Sequence, residues 1–225
     1  MDSDPSAPVR LLILGASGGC GQWITRLAIE RGHDVRALVR PTTRFDPPDG
    51  VEVARGLVLE DGTLERVMEG RDVVISALGI KRKNPLNPWS PLASPPDLMK
   101  RVAENLARVA SEAGVSRVLA ISAAGVRDSI EDVHPMIRWM ICNSNVNAAY
   151  LDLAAMERAF SESDLDWMAL RPTTLTPGRP SGSTIGIQRY GLLTTTRRSD
   201  VAEFLLDVAA SRTPLQDRTP MIASR

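Results

Sequence analysis

The stretch Val9–Gly21, which reads VRLLILGASGGCG, decides the fold of this chain. Its first part, VRLLILGA, is an apolar run of the kind that forms a strand buried on both faces of a sheet. Glycines follow at Gly15, Gly18 and Gly21, and the next segment has apolar residues at helical spacing until Gly32. A strand, a glycine turn and a helix in this order predict the first βα unit of a parallel sheet.

The three glycines have separate physical roles in the predicted turn. Gly15 permits a tight turn after the strand, Gly18 lets the backbone approach a pyrophosphate, and Gly21 lets the helix pack close to the sheet. The helix would then direct its N-terminal amides and the positive end of its dipole at the phosphates. We therefore predict a dinucleotide site, with a mere tight turn as the alternative. Cys20, in the same turn, is expected to be a small packed residue rather than a reactive thiol.

The residues after the second predicted strand, Asp34–Val39, bear on the choice of dinucleotide. An NAD site carries an acidic residue there to hold the ribose 2′-hydroxyl. In this chain the strand is followed by RPTTR, which supplies Arg40 and Arg44 and no carboxylate. Two guanidinium groups suit the 2′-phosphate of NADP(H), because each planar fork can bind phosphate through two hydrogen bonds. The alternative is that both are solvated surface arginines.

The rest of the chain continues the alternation of strands and helices. Further strands are predicted at 51–58, 71–79, 116–125, 165–172 and near the C-terminus in PMIAS, and helices at 61–70, 97–114, 148–163 and 199–210. The Pro-rich stretch 83–96 cannot form regular structure, because proline lacks the backbone donor. The pattern predicts one α/β domain over residues 1–225, with a doubly wound, mainly parallel sheet and helices on both faces.

Composition bounds the partners and the compartment. The 27 Lys and Arg residues balance 27 Asp and Glu residues, so charge gives no reason to expect nucleic acid or an anionic membrane as a partner. No apolar run approaches the roughly 20 residues of a membrane span, and the start MDSDPSAP is unlike a signal peptide. Two cysteines are too few for a disulfide framework or a cysteine-built zinc site. We expect a cytoplasmic protein without a metal site, as a monomer or a homodimer.

Taken with these motifs, the chain resembles the atypical short-chain dehydrogenase/reductase superfamily, and most of all its NAD(P)H-binding group with biliverdin-IXβ/flavin reductases and NmrA-like proteins. The resemblance rests on GASGGCG, LVRPTTR, VISALG, AGVSRVLAISAAG, YLDLAAME, LDWMALRP and RRSDVAEFLLD. It implies a Rossmann fold with a dinucleotide across the carboxyl ends of the strands. The cofactor-binding residues that it implies are Gly15, Ser17, Gly18, Gly19 and Cys20 for the phosphates, Arg40 and Arg44 for the 2′-phosphate, Leu57 and Val58 for adenine, Ala77, Leu78 and Gly79 for ribose, and Ser122, Ala123 and Pro172 toward the nicotinamide.

The chain departs from the pattern of these relatives at two places. Leu57 stands where many relatives carry an aspartate, so a hydrogen bond to adenine is lost. Ordinary short-chain dehydrogenases use a Ser, a Tyr and a Lys four residues after the Tyr. Here Ser122 and Tyr150 are the candidate catalytic residues, but Ala154 replaces the lysine and no lysine follows Lys100. Without that ammonium, Tyr150 is expected to keep a pKa near about 10 and to exchange protons poorly.

The segment between Ser122 and Tyr150 is long for a connection and unusually apolar. We expect a substrate lid over residues 125–149 and a C-terminal cap over 173–225. The alternative for the first of these is a satellite helix packed on the body or in a dimer interface. His134 is expected to be structural or exposed, and Glu157 is expected on a solvated helix face.

These features favour an NADPH-dependent reductase that transfers hydride to a conjugated or aromatic small-molecule acceptor, such as a flavin, a quinone or a tetrapyrrole-like molecule. No Ser–Tyr–Lys triad takes part in this hypothesis. The alternative from a different class is a non-catalytic NADP(H)-binding redox sensor of the NmrA type. An epimerase or dehydratase with bound NAD ranks third, because such enzymes also usually need the Tyr–Lys pair. The sequence does not identify the acceptor.

Overall fold

The computed structural model describes residues 8–211 and 213–225 as alternating strands and helices. The strands are β1 (Arg10–Leu14), β2 (Asp34–Val39), β3 (Glu52–Arg55), β4 (Val73–Ser76), β5 (Arg117–Ile121), β6 (Trp167–Pro172), β7 (Thr174–Thr176), β8 (Ser183–Ile185), β9 (Thr195–Arg197) and β10 (Met221–Ser224). The helices are α1 (Gly19–Glu30), α2 (Thr63–Met68), α3 (Leu98–Val109), α4 (Pro135–Cys142), α5 (Val146–Ser161) and α6 (Arg198–Ala210). A 3-10 helix, Arg127–Asp132, precedes α4.

Eight strands form the central sheet in the order β3-β2-β1-β4-β5-β6-β10-β8. All neighbouring pairs in it are parallel except β10 and β8, which run antiparallel. The chain moves outward from β1 through β2 to β3, and then returns to start its second half at β4, beside β1. That reversal opens a crevice at the carboxyl ends of β1 and β4, where open α/β sheets bind their ligands.

The sheet is covered by helices on both faces, as predicted. Leu11 and Ile13 of β1 pack into one apolar cluster with side chains of α1 and α6. Leu12 and Leu14, which alternate with them, pack into a second cluster with α2, α3 and α5. Successive strand residues point to opposite faces, so a strand with both faces covered needs the continuous apolar run seen in the sequence.

Most predicted elements lie close to their predicted positions, and β2 has the predicted bounds. The predicted fifth strand ran to residue 125, whereas β5 ends at Ile121. Residues beyond it still pair with β6, through Ser122 N–H to the carbonyl of Leu170 at 2.7 Å and Ala124 N–H to that of Pro172 at 2.9 Å. The chain then turns at Gly125, which has a positive φ of 95°. Apart from an isolated bridge at Leu92, residues 83–96 form only turns and bends.

The segment 125–149 is helical and packed rather than an open loop. Its residues Val133 and Ile141 join Tyr190 and Met221 of the C-terminal part in a third apolar cluster. The two segments are also joined by backbone hydrogen bonds, from His134 N–H to the Tyr190 carbonyl and from Tyr190 N–H to that of Asp132, both 2.9 Å. This geometry agrees with the satellite-helix alternative for these residues. A lid function and the 173–225 cap remain predictions.

Within residues 8–211 and 213–225, no helix combines the length and the apolar character that crossing a membrane would require.

Candidate functional site

The glycine turn is held against the end of β4 by contacts that leave no room for side chains. Gly15 has a φ of +78°, and a Cβ there would lie 2.8 Å from the carbonyl oxygen of Ala77. A Cβ on Gly21 would collide with the Gly15 carbonyl. The turn is closed by a hydrogen bond from Gly18 N–H to the Gly15 carbonyl at 2.9 Å. Gly15 and Gly21 are therefore required by close approaches in this structure, whereas a Cβ on Gly18 would lie 3.2 Å from the Gly15 carbonyl and would need only a small shift.

The N-terminus of α1 is suited to bind an anion. Its N-cap is Gly18, no side chain caps it, and its first turn contains no acidic residue. The bond from Gln22 N–H to the Gly18 carbonyl is 2.9 Å long. The amides of the three residues before Gln22 precede that first intrahelical bond, so they point out of the helix end without an intrahelical acceptor. A dinucleotide pyrophosphate would satisfy these amides and the positive end of the helix dipole.

Cys20 turns its side chain into the core and not toward the crevice. It belongs to the apolar cluster between the sheet and helices α1 and α6. Burial raises the pKa of its thiol to about 11, although the charge of Arg198 acts in the opposite direction. The thiol is therefore protonated at neutral pH, as expected for a packed residue, and only the backbone of Cys20 faces the predicted phosphate position.

The remaining predicted cofactor residues follow the carboxyl ends of the strands. Ala77 and Leu78 are half-buried directly after β4, and Gly79 beside them is exposed. Ala123 is half-buried after β5, and Pro172 ends β6 as a buried residue. The side chain of Leu57, after β3, is 50% exposed, and Val58 is half-buried. Because parallel strands end at the same edge, the fold brings these segments to one side of the sheet.

A cleft of about 270 Å³ lies between α1 and the residues that follow β2. It is lined by Gln22, Thr25, Arg26, Arg44, Phe45, Asp46, Pro47 and Pro48. Gln22 connects it to the glycine turn by donating to the carbonyl of Ser17 at 3.1 Å. Arg44 therefore lines a cleft as a predicted phosphate ligand would, whereas Arg40 does not line this cleft, and both arginines are exposed. Arg26 is a second guanidinium that the sequence prediction missed.

Ser122 belongs to a buried ionic network that sequence reasoning did not anticipate. Its hydroxyl donates to Oε1 of Glu157 at 2.7 Å. Arg171 donates to the same carboxylate through Nε at 3.0 Å and Nη2 at 2.7 Å, and its Nη2 also donates to Asp128 at 3.0 Å. Glu157 is fully buried, so its expected place on a solvated helix face is wrong. Arg171 in the adjacent strand supplies the counter-charge that makes this burial tolerable.

The network holds its arginine in the charged form. Burial alone would lower the pKa of Arg171, but the hydrogen bonds and charges of Glu157 and Asp128 outweigh burial and raise it. The hydrogen bond from Arg171 also lowers the pKa of Asp128. The hydroxyl of Ser122 is thus directed at a buried carboxylate, an arrangement that fixes its orientation.

Tyr150 is placed as a packing residue. Its hydroxyl donates to the carbonyl of Ala124 at 3.1 Å, and its ring packs against the cluster of Val133 and Tyr190. Burial, with a smaller contribution from Tyr190, raises the pKa of Tyr150 well above its ordinary value. The expected pKa near 10 was therefore too low, because the sequence did not show that the ring packs against an apolar cluster. The phenol is still less able to exchange a proton at neutral pH than predicted.

His134 and Tyr190 lie in the same region as Tyr150. His134 is exposed and caps α4, because its Nδ1 accepts the amide of Met136 at 3.2 Å. Tyr190, which the sequence prediction missed, shares a 2.6 Å hydrogen bond with the hydroxyl of Thr174. Arg171 is a charged residue within the apolar strand WMALRP, but residue type alone does not pair it with Glu157.

The glycine turn, the uncapped helix start and the crevice define a dinucleotide-binding α/β protein. A model of the family described as NAD(P)H-binding matches residues 15–212, which is most of the chain. The chain belongs to this NAD(P)H-binding family. It is 30% identical over 175 residues to a 3-diazoavenalumate denitrifying reductase from a Streptomyces species, covering 74% of this chain and 56% of that protein. A second relative is a probable pinoresinol-lariciresinol reductase from Arabidopsis thaliana, of whose length the match covers 25%. The chain thus spans about half or less of the length of these curated relatives.

Solved structures share the whole fold at low sequence identity. An anaerobillin reductase from Escherichia coli O157:H7 superposes with a TM-score of 0.72 at 20% identity, covering 96% of this chain and 97% of that one. A short-chain dehydrogenase/reductase from Veillonella parvula in complex with NADP gives a TM-score of 0.73 at 18% identity, covering 96% and 94%. These likenesses confirm the Rossmann-type architecture.

Proposed function

We propose that this protein is an NADPH-dependent reductase that transfers hydride to a conjugated or aromatic acceptor without a Ser–Tyr–Lys triad. The observation that carries the proposal is the disposition of the two triad-like residues. The hydroxyl of Ser122 is bonded to Glu157, and that of Tyr150 is bonded to the Ala124 carbonyl. Neither is arranged to donate a proton to a substrate, so chemistry that needs only placement of the acceptor fits best.

The preference for NADPH over NADH rests on charge in the cleft beside the glycine turn. Arg26 and Arg44 both line it, together with one carboxylate, Asp46. Two guanidinium groups against one carboxylate leave a local excess of positive charge for a 2′-phosphate. The segment that follows β2, residues 40–44, also lacks the acidic residue that would hold a 2′-hydroxyl.

Reduced nicotinamide supplies the hydride when it is bound, and the residues of this chain supply position. The amides of the glycine turn and of the first turn of α1 would bind the pyrophosphate. The segments after β4 and β5 would border the ribose and the nicotinamide. A quinone or flavin that accepts hydride also takes up a proton on oxygen or nitrogen. Water supplies that proton, because the raised pKa of Tyr150 makes its hydroxyl a poor proton donor.

Exposed apolar side chains support an aromatic acceptor. Met136 and Trp139 of α4 are 59% and 58% exposed. They belong to the helix that follows the carboxyl end of β5, where the nicotinamide end of a dinucleotide is expected. Flat, polarisable acceptors pack well on Met and Trp side chains.

The proposal is tested with purified protein, NADPH and a panel of flavins and quinones, following the loss of absorbance of reduced nicotinamide. We expect oxidation with at least one acceptor and a lower rate with NADH. A protein that bound NADP⁺ and NADPH with different affinities and oxidised nothing on the panel would instead be a redox sensor. A protein that bound neither dinucleotide would overturn the proposal as a whole.

A further inference from the structure

Arg198, the first residue of α6, lies directly over the glycine turn. A Cβ added to Gly19 would be 2.7 Å from Arg198 Nε and 2.8 Å from its Cδ. The Arg198 side chain therefore occupies space that a side chain at position 19 would also need. Helices α1 and α6 pack side by side on one face of the sheet, and the contact between Gly19 and Arg198 places their first residues together.

The guanidinium of Arg198 has no protein acceptor in the described part of the chain, residues 8–211 and 213–225. No ion pair or hydrogen bond from its side chain is formed there, although the residue is only half-exposed. The nearest carboxylate along its own helix, Asp200, is occupied elsewhere, accepting from the amide of Ser181 at 2.8 Å and from the hydroxyl of Ser224. The charge of Arg198 is felt at the first turn of α1, where it acts to lower the pKa of the Cys20 thiol.

Arg198 places an unpartnered cation beside uncapped backbone amides, and an anion bound between them would contact both. The anion that the glycine turn accommodates is the pyrophosphate of a dinucleotide. Arg198 would contact it from the start of α6, as a charge-assisted donor in addition to the backbone amides.

We propose that Arg198 is a pyrophosphate-binding residue that closes the cofactor site from α6. The inference rests on NAD(P)H binding, and it is independent of the acceptor named in the proposed function. Arg198 binds a group that NADPH and NADH share, whereas a ligand of the 2′-phosphate would act on NADPH alone. It therefore adds affinity for both dinucleotides without selecting between them.

The test compares Arg198→Ala with Arg197→Ala by calorimetric titration of NADPH, NADH, ADP and adenosine. Arg197 is a matched control, since it precedes Arg198, carries the same charge and directs its Nη1 to the carbonyl of Arg179 at 3.2 Å. We expect Arg198→Ala to weaken NADPH, NADH and ADP by similar factors, about tenfold to a hundredfold, and to leave adenosine unchanged. Arg198→Lys keeps the positive charge but loses the planar guanidinium. Its affinity for the dinucleotides should lie between that of the wild type and that of Arg198→Ala.

The outcomes separate this inference from the proposed function. Wild-type protein that binds both dinucleotides, with an Arg198→Ala variant that binds them equally well, overturns the inference alone. Weaker binding of NADPH with unchanged binding of NADH would also overturn it, because Arg198 would then bind the 2′-phosphate. Wild-type protein that binds neither dinucleotide overturns both. Arg198→Gln, which retains most of the side chain, repeats the measurement if the alanine variant does not fold, and unfolding midpoints confirm that the compared variants are intact.

Discussion

Arg171 has two carboxylate partners that differ sharply in exposure. The contributions of a buried and an exposed ion pair to stability can therefore be compared on the same guanidinium. The side chain of Glu157 is 0% exposed and that of Asp128 is 79% exposed. Glu157→Ala leaves a buried cation without its main partner, and we expect a loss of about 3–5 kcal/mol of unfolding free energy. Asp128→Ala removes a solvent-screened partner and should cost less than about 1 kcal/mol. Urea unfolding of both variants measures the difference in unfolding free energy. Equal losses would show that the buried ion pair contributes no more to stability than the exposed one.

The network around Arg171 also shows where sequence reasoning ended. A glutamate on an amphipathic helix is expected at the surface, because charged residues are rarely buried without a partner. The partner of Glu157 lies 14 residues further on, in a neighbouring strand. Only the packing of α5 against the sheet brings the two together. The glycine positions, in contrast, could be predicted, since their roles depend on a local strand–turn–helix geometry.

Tyr150→Phe separates packing from proton transfer. The ring stays in its apolar cluster, and only the hydrogen bond to the Ala124 carbonyl is lost. Because burial raises the pKa of Tyr150, its hydroxyl stays protonated throughout the neutral range. We expect turnover with the best acceptor to fall by less than about tenfold, which is under about 1.4 kcal/mol of barrier. A fall of several hundredfold at unchanged cofactor affinity would make Tyr150 the proton donor and return the ordinary dehydrogenase mechanism.

The arginines after β2 can be ranked by their surroundings. Arg44 lines the cleft with Arg26, whereas Arg40 does not line it. We expect Arg44→Ala to weaken NADPH by about 1.5–3 kcal/mol with little change for NADH, as a charge-assisted contact to the 2′-phosphate requires. Arg40→Ala should have a smaller effect. Fluorescence titration with both dinucleotides measures this, with Arg101→Ala of α3, on the opposite face of the sheet, as the charge-matched control. Equal weakening of both cofactors would exclude Arg44 as the selector.

At the scale of elements, the start of α3 depends on a residue far away in the sequence. Asp152 of α5 accepts the amides of Met99 at 2.7 Å and Lys100 at 3.0 Å. Asp97, which precedes α3 directly, makes no side-chain cap. We expect Asp152→Ala to lower the unfolding free energy by about 1–2 kcal/mol and Asp97→Ala to change it little. Chemical denaturation of the two variants is the measurement, and a larger effect at Asp97 would contradict the assignment.

The predictability of the elements follows the same division between local and long-range causes. The second strand could be placed to the residue, because Gly32 before it and Pro41 after it both interrupt regular structure. The helices between residues 125 and 149 could not, because their apolar residues face a cluster formed with the C-terminal segment. A helix that packs on a distant part of the chain shows no simple amphipathic pattern before that partner is known.

At the scale of the whole molecule, Tyr190 joins two segments that the sequence analysis treated as separate. It contributes its ring to the cluster with Val133 and Ile141, and its backbone to both hydrogen bonds with residues 132–134. We expect Tyr190→Ala to speed amide exchange at His134 and at position 190 together, by at least about tenfold, with β1 unchanged. Tyr190→Phe, which loses only the hydrogen bond with Thr174, should have a smaller effect. Faster exchange in one segment alone would show that the two open independently.

The contact between Gly15 and the Ala77 carbonyl has a consequence for how quickly a cofactor could be captured. The turn lies so close to the end of the strand that a Cβ at position 15 would not fit between them. The loss of conformational entropy needed to shape this cradle is therefore incurred once, when the chain folds, and is not repeated at each encounter with a ligand. Association can then proceed at a rate set by diffusion and orientation rather than by rearrangement of the turn. Differences in affinity among its variants should lie chiefly in how long the cofactor stays bound.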